Sequence, residues 1–188
     1  MGGAIGKNIY VVDGLAGGET LAVNEIYNTK TNTWTTGAPD PTARWAGAYA
    51  VVNGILYVIG GFDSSGNPLN LVEAYNPVSD SWSTKASMST ARDSITAAVD
   101  KDVIYVVGGE ANGMWLTTVE SYNTATDTWT EEAPMLLARG WAAVGLLGTT
   151  IVAADGNPGA PGYTCTAGVL SRFALLLPNF DPMHTLST

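Results

Sequence analysis

Short apolar runs alternate with polar turns along most of this chain, and the alternation repeats. The second copy shows it best. Ala46–Val52 (AGAYAVV) is a compact apolar run, and Asn53-Gly54 after it is a strong two-residue hairpin signal. Ile55–Gly60 (ILYVIG) predicts a second buried strand. A loop over Phe62–Asn70 leads to a strand at Leu71–Tyr75, and Asn76–Asp80 (NPVSD) turns the chain into Ser81–Thr84. Continuous apolar character in the first two strands predicts cover on both faces. The alternation in the later two suits a sheet rim with one wet face.

Fixed markers keep this unit in register. Tyr27 and Trp34, Tyr75 and Trp82, and Tyr122 and Trp129 are each seven residues apart, and the pairs follow one another at steps of 48 and 47 residues. A Glu lies two residues before each Tyr (Glu25, Glu73, Glu120), and an Arg ten residues after each Trp (Arg44, Arg92, Arg139). An apolar run ends on a Gly doublet in YVIGG and YVVGG; the same place reads YVVDG at Tyr10–Gly14 and VAADG at Val152–Gly156. A repeat of this length defines one structural unit.

A four-stranded meander cannot bury both of its faces alone. Stacking such sheets radially solves this and leaves only short edges. The expected fold is therefore all-β: a β-propeller of four-stranded antiparallel blades, about four per chain. One domain spans 1–188, with blades at about 1–39, 40–87, 88–134 and 135–188. Tyr and Trp are expected on adjacent strands, packed against the neighbouring blade.

GILYVIGG followed by VEAYNPVSDSW and an Arg resembles the kelch repeat, as do VIYVVGG, VESYNTATDTW and Arg139. The resemblance covers about residues 1–156. It implies a kelch propeller in which the first strand of each repeat lines a central channel. Its relatives include protein-binding adaptors, sugar-processing proteins and a copper oxidase, so it does not choose a function. The pattern departs at both ends. The position matching Arg44 falls upstream of Met1, and Leu170–Thr188 has no clear Tyr–Trp pair; Phe173 and Phe180 keep the spacing after a shift of about three residues.

Charge narrows the partners. A formal net charge of −9, with eight dispersed Lys and Arg, argues against a nucleic-acid backbone. No run approaches the roughly 18 apolar residues of a membrane helix. The opening MGGAIGKNIYVVDG carries no visible signal peptide, so the chain is expected to be soluble, with its compartment open.

Candidate chemistry is sparse. One His (His184) and one Cys (Cys165) do not make a transition-metal set, and no cofactor is expected. The FDSSGN loop at Phe62–Asn67 offers oxygens but too few acids for a dedicated calcium loop. Arg44, Arg92 and Arg139 open successive blades and have two readings. One is an arc of ligand-binding groups at a channel mouth. The other is architecture, each Arg pairing with the Glu 19 residues upstream of it. Trp45, Trp115 and Trp141 lie outside the repeated Trp position and have two readings of equal weight, core packing and ligand contact; with Asp93, which follows Arg92 directly, they complete the candidate ligand-binding set.

The expected function is a non-catalytic binding module that presents its loops to a protein, a glycan or a small anionic ligand. The alternative is a hydrolase or sugar-converting enzyme in the channel mouth, drawing on acids such as Asp63, Asp93, Glu110 and Asp155. A homodimer of half-propellers is also expected, with residues 1–14 and 160–188 at the junction.

Overall fold

The computed structural model describes residues 2–148, 150–154 and 156, and the backbone of 170–173. All regular structure among them is β. The first sheet is β1 (Gly2–Ile5), β2 (Asn8–Ala16), β3 (Glu19–Asn28) and β4 (Thr33–Thr36), joined in that order. The second repeats it with β5 (Ala48–Val52), β6 (Ile55–Ile59), β7 (Val72–Asn76) and β8 (Ser81–Lys85). The third has β9 (Thr96–Asp100) and β10 (Val103–Val107) first. A small loop hairpin follows, β11 (Glu110–Ala111) with β12 (Met114–Trp115), before β13 (Val119–Asn123) and β14 (Thr128–Glu131) complete the sheet. In the fourth, β15 (Ala143–Leu147), β16 (Thr150–Ala154) and β17 (Leu170–Phe173) are described. Phe173 pairs with Ile151 in the register that Tyr122 takes with Ile104. Cys165, His184, Asp155 and Phe180 lie outside the described residues, as does residue range 160–188 apart from β17.

β5 begins two residues later than its apolar run suggests. Ala46 is left-handed, with φ +57°, and its carbonyl accepts a hydrogen bond from Ser94 N at 2.8 Å. The backbone there belongs to the contact between blades rather than to a ladder.

First strands meet first strands: β1 packs on β5, β5 on β9, and β9 on β15. The core therefore lies between blades. Ala48, Val52 and Tyr57 of the second blade pack with Met88, Ile104 and Tyr122 of the third. The aromatic pairs close each seam from outside. Tyr75 and Trp82 are register partners with ring centroids 5.1 Å apart. The Tyr75 hydroxyl donates to Asp80 Oδ1 at 2.7 Å, and the same oxygen accepts Ala38 N of the preceding blade at 2.7 Å. Trp82 Nε1 donates to the Ala38 carbonyl at 2.8 Å. The next seam copies this: Tyr122 and Ala86 N both donate to Asp127, and Trp129 Nε1 donates to the Ala86 carbonyl. One residue per seam thus has both its backbone donor and its backbone acceptor bonded by the following repeat. In the first blade, Tyr27 reaches Asn32 in the same way at 2.6 Å, but Trp34 is 58% exposed.

Candidate functional site

The repeated arginines stand inside the blades. Arg44 and Arg92 are both 0% exposed, and Arg139 is buried as well. Arg92 Nη2 donates to Glu120 at 2.7 Å, while Nη1 donates to the carbonyls of Gly108 (2.8 Å) and Thr118 (3.3 Å). Arg44 pairs with Glu73 and donates to the carbonyls of Thr42, Gly60 and Leu71. Each Arg spans the first three strands of its own blade, so its Glu follows it in the chain, by 29 residues for Arg44 and 28 for Arg92. The expected upstream partners are thereby corrected: Glu73 and Glu120 pair with the arginines that precede them, and Glu25 is exposed. A buried guanidinium whose terminal nitrogens donate to backbone carbonyls and a carboxylate holds its blade together from inside.

The glycine doublets mark where the seams are tightest. Gly14, Gly61 and Gly109 N donate to the carbonyls of Arg44, Arg92 and Arg139 respectively, at 2.9–3.1 Å. A Cβ on Gly60 would lie 2.6 Å from the Arg92 carbonyl, 2.8 Å from Ile95 Cδ1 and 3.0 Å from Met88 Cε. In the first copy these three neighbouring positions are Asp13, Gly47 and Asp40. Asp13 keeps the left-handed backbone, with φ +58° against +59° at Gly60. Its side chain fits because Gly47 and the shorter Asp40 leave room.

That exchange brings Asp13 and Asp40 within 3.8 and 3.4 Å of Arg44 Nε, in addition to the Glu73 on its Nη2 that matches Glu120 on Arg92. Both aspartates are buried, and neither Asp13 oxygen finds a hydrogen-bond donor within the protein. Burial, reinforced by Asp40 and only partly offset by Arg44, pushes the Asp13 carboxyl up to about 9. Burial and Asp40 likewise push Glu73 up to about 7. A proton on Asp13 supplies the donor that two facing carboxyl groups otherwise lack.

A different cluster at this end of the strands joins buried Asp93 and Ser94 to half-buried Glu110 and Trp115 and exposed Trp141. Asp93 and Glu110 exchange both backbone hydrogen bonds, at 2.9 and 3.1 Å. Glu110 pairs with Trp115 across the β11–β12 hairpin. The Trp115 ring lies over Gly140, where an added Cβ would sit 2.0 Å from a ring carbon. Trp141 follows, 53% exposed, and its N donates to Ser94 O at 2.8 Å; Ser94 Oγ in turn donates to Asp93 Oδ1 at 2.6 Å. The circle Asp93–Glu110–Trp115–Gly140–Trp141–Ser94 is closed by these contacts. Trp141 has φ +56° at the place where Ala46 and Ser94 have +57° and +54°. The fold sets that conformation, and a bulky aromatic there is unusual. Burial raises the Asp93 carboxyl above its ordinary range and Glu110 adds to this, against the opposing bond from Ser94. Trp45 stands apart, paired with Phe62 at 5.0 Å between ring centroids.

Asp63 spends its oxygens on its own loop, accepting Ser65 N and Asn67 N at 2.8 Å; bonds from Asn67 lead those that hold its carboxyl below the ordinary value. No group of three or more His, Cys, Asp or Glu among the described residues is arranged to hold a metal ion.

The structure therefore brings Asp93, Trp115 and Trp141 together, leaves Trp45 beside Phe62, and removes Arg44, Arg92 and Arg139 from the surface. Glu110 joins the candidate set through its pairing. Phe62 and Ser94 carried no sequence signal, since both sit at positions that vary between copies.

Four-stranded sheets that meet through their first strands, with aromatic pairs closing each seam, define blades of a kelch-type β-propeller. Residues 3–143 match the KLHDC2/KLHL20/DRC7 Kelch-repeats domain, and the chain belongs to the kelch-repeat family. Among solved structures it is similar to one described as the structure of YjhT, with a TM-score of 0.73 and 19% identity. The match covers 82% of this chain and 58% of that one, so the chain spans less than two thirds of that protein's length. At this identity the likeness is one of fold. Kelch-repeat domains are in general binding and interaction modules.

Proposed function

We propose that this chain is a non-catalytic interaction module that engages a protein partner through its loop face, centred on Asp93, Glu110, Trp115 and Trp141. The observation that carries this reading is Trp141, an exposed indole held in a left-handed backbone next to Gly140, over which the Trp115 ring lies. Strained, exposed aromatics on a rigid scaffold are the groups that interfaces recruit as anchors. The enzyme alternative set acids such as Asp63, Asp93 and Glu110 beside Arg44, Arg92 and Arg139 in the channel mouth, and the burial of the three arginines takes away its cationic contacts. Selection of a random peptide library against the purified chain tests the proposal. Selected peptides should lose binding to the Trp141→Ala variant and keep it with Trp34→Ala, whose indole is equally exposed on the outer rim. Equal binding to both variants would end the assignment to the loop face.

A further inference from the structure

The charges of the two ends of the strands are unequal. The loops on the candidate face run over residues 17–18, 37–47, 60–71, 86–95, 108–118 (with the β11–β12 hairpin) and 132–142. Their basic residues are Arg44, Arg92 and Arg139, all buried. Their acids include Asp63, Glu110 and Glu132 at the surface, with Asp93 buried behind them. The lysines lie elsewhere. Lys7, Lys30 and Lys101 occupy hairpin turns on the other set of connections, and Lys85 sits near Asp127. Among the described side chains, the surface of the loop face therefore carries acids without an exposed cation, in a protein of formal charge −9.

We propose that the loop face takes a cationic side chain, the guanidinium or ammonium of a basic protein segment, against the indoles of Trp115 and Trp141 and the carboxylate of Glu110, with the charge of the buried Asp93 carboxylate adding to the attraction. This rests on the loop-face reading above and gives it a ligand class. Indole faces attract cations through the ring quadrupole, and a carboxylate at the edge of such a site supplies the charge-assisted hydrogen bond. The contacts that close the circle of these residues place both kinds of group on one patch. The buried Asp93 carboxyl is raised by its desolvation and by Glu110, and a bound cation relieves both effects. The field of the whole chain steers a basic segment toward this face and repels an acidic one.

Three synthetic peptides of equal length serve as probes: one rich in Arg and Lys, one rich in Glu, one neutral. Binding is read by tryptophan fluorescence and calorimetry at two salt concentrations. The basic peptide should bind in preference to the other two and weaken with salt. Trp141→Ala and Glu110→Gln should each weaken it by about threefold to thirtyfold, the range a partly desolvated cation–π contact spans. Asp93→Asn, which retains an acceptor for Ser94, should act in the same direction while leaving the folded spectrum unchanged. Binding of the neutral or acidic peptide, lost with Trp141→Ala, would overturn the cation assignment and leave the loop-face reading standing. Basic-peptide binding indifferent to all three variants would mean attraction to net charge alone and overturn the proposed site. Absence of binding by all three peptides would overturn it as well; the library selection then decides the loop-face reading independently.

Discussion

At the seam between the second and third blades, Gly60, Met88 and Ile95 meet beside Arg92, which faces Glu120. At the seam between the first and second, Asp13, Asp40 and Gly47 hold the same three positions beside Arg44, which faces Glu73. The backbone is common to both, down to the left-handed residue and the hydrogen bond to the Arg carbonyl. The difference is electrostatic. One cation with one carboxylate is neutral inside an apolar seam. One cation with three carboxylates is not, and an uncompensated buried charge costs several kcal/mol. The first seam meets this by holding protons, which makes its stability a function of pH; the second seam has no such coupling to Asp residues at those positions.

The largest effect separating the two designs is expected from Arg92→Ala. It leaves Glu120 buried without its cation, and should cost about 3–5 kcal/mol in urea unfolding. A loss near that of an ordinary surface change would mean that the pair does not hold the blade.

The second test copies one seam onto the other with Asp13→Gly and Asp40→Met. For Asp13, the folded value of about 9 stands above the ordinary 3.8. Its stabilising contribution is therefore complete below pH 3.8 and is lost as pH rises through about 9. Glu73, ordinarily 4.5 and raised to about 7, loses its share across the lower part of the same window. Between mildly acidic and alkaline pH the parent chain should lose thermal stability in the first seam. The double variant should flatten that decline and gain about 1–4 kcal/mol at pH 8, the range seen when buried ionic groups give way to packed apolar ones. An unchanged Tm-against-pH curve would show that the two aspartates carry no proton linkage.

The smallest effect compares Trp82 with Trp34. Trp82→Phe removes the bond to the Ala38 carbonyl and should cost about 1 kcal/mol. Trp34→Phe, at an exposed indole, should stay within about 0.5 kcal/mol. Equal losses in a denaturant series would mean that ring packing, and not the inter-blade bond, is what the repeated Trp contributes.

Most of the fold was legible because repeat spacing reports directly on architecture. Tyr75 and Trp82 sit seven residues apart because a tight turn places them opposite each other, and the second strands announce themselves by their Gly doublets. The pairing of Arg with Glu was legible as a pair of conserved phases within the chain. Its direction was not, since a periodic pattern offers an upstream and a downstream partner, and only the closing of each blade selects one. Three members of the candidate cluster, Asp93, Trp115 and Trp141, were legible residue by residue. What sequence withheld was burial: nothing in the spacing says that Arg44 points inward while Trp141 points out. The Asp13–Asp40 contact was hidden for a related reason. The YVVDG variant is visible, but the residue it touches lies 27 positions away across a seam.

The bonds on Ala38 and Ala86 also impose an order in time. Ala38 cannot be fully satisfied until Asp80 and Trp82 exist, and Ala86 must wait for Asp127 and Trp129. A chain growing from its N-terminus therefore completes each blade with atoms of the next one. At about 5–20 residues per second on the ribosome, that is a delay of roughly 2–10 seconds per repeat. During each interval the newest sheet presents an unsealed flank, so synthesis advances by clasping one finished leaf at a time.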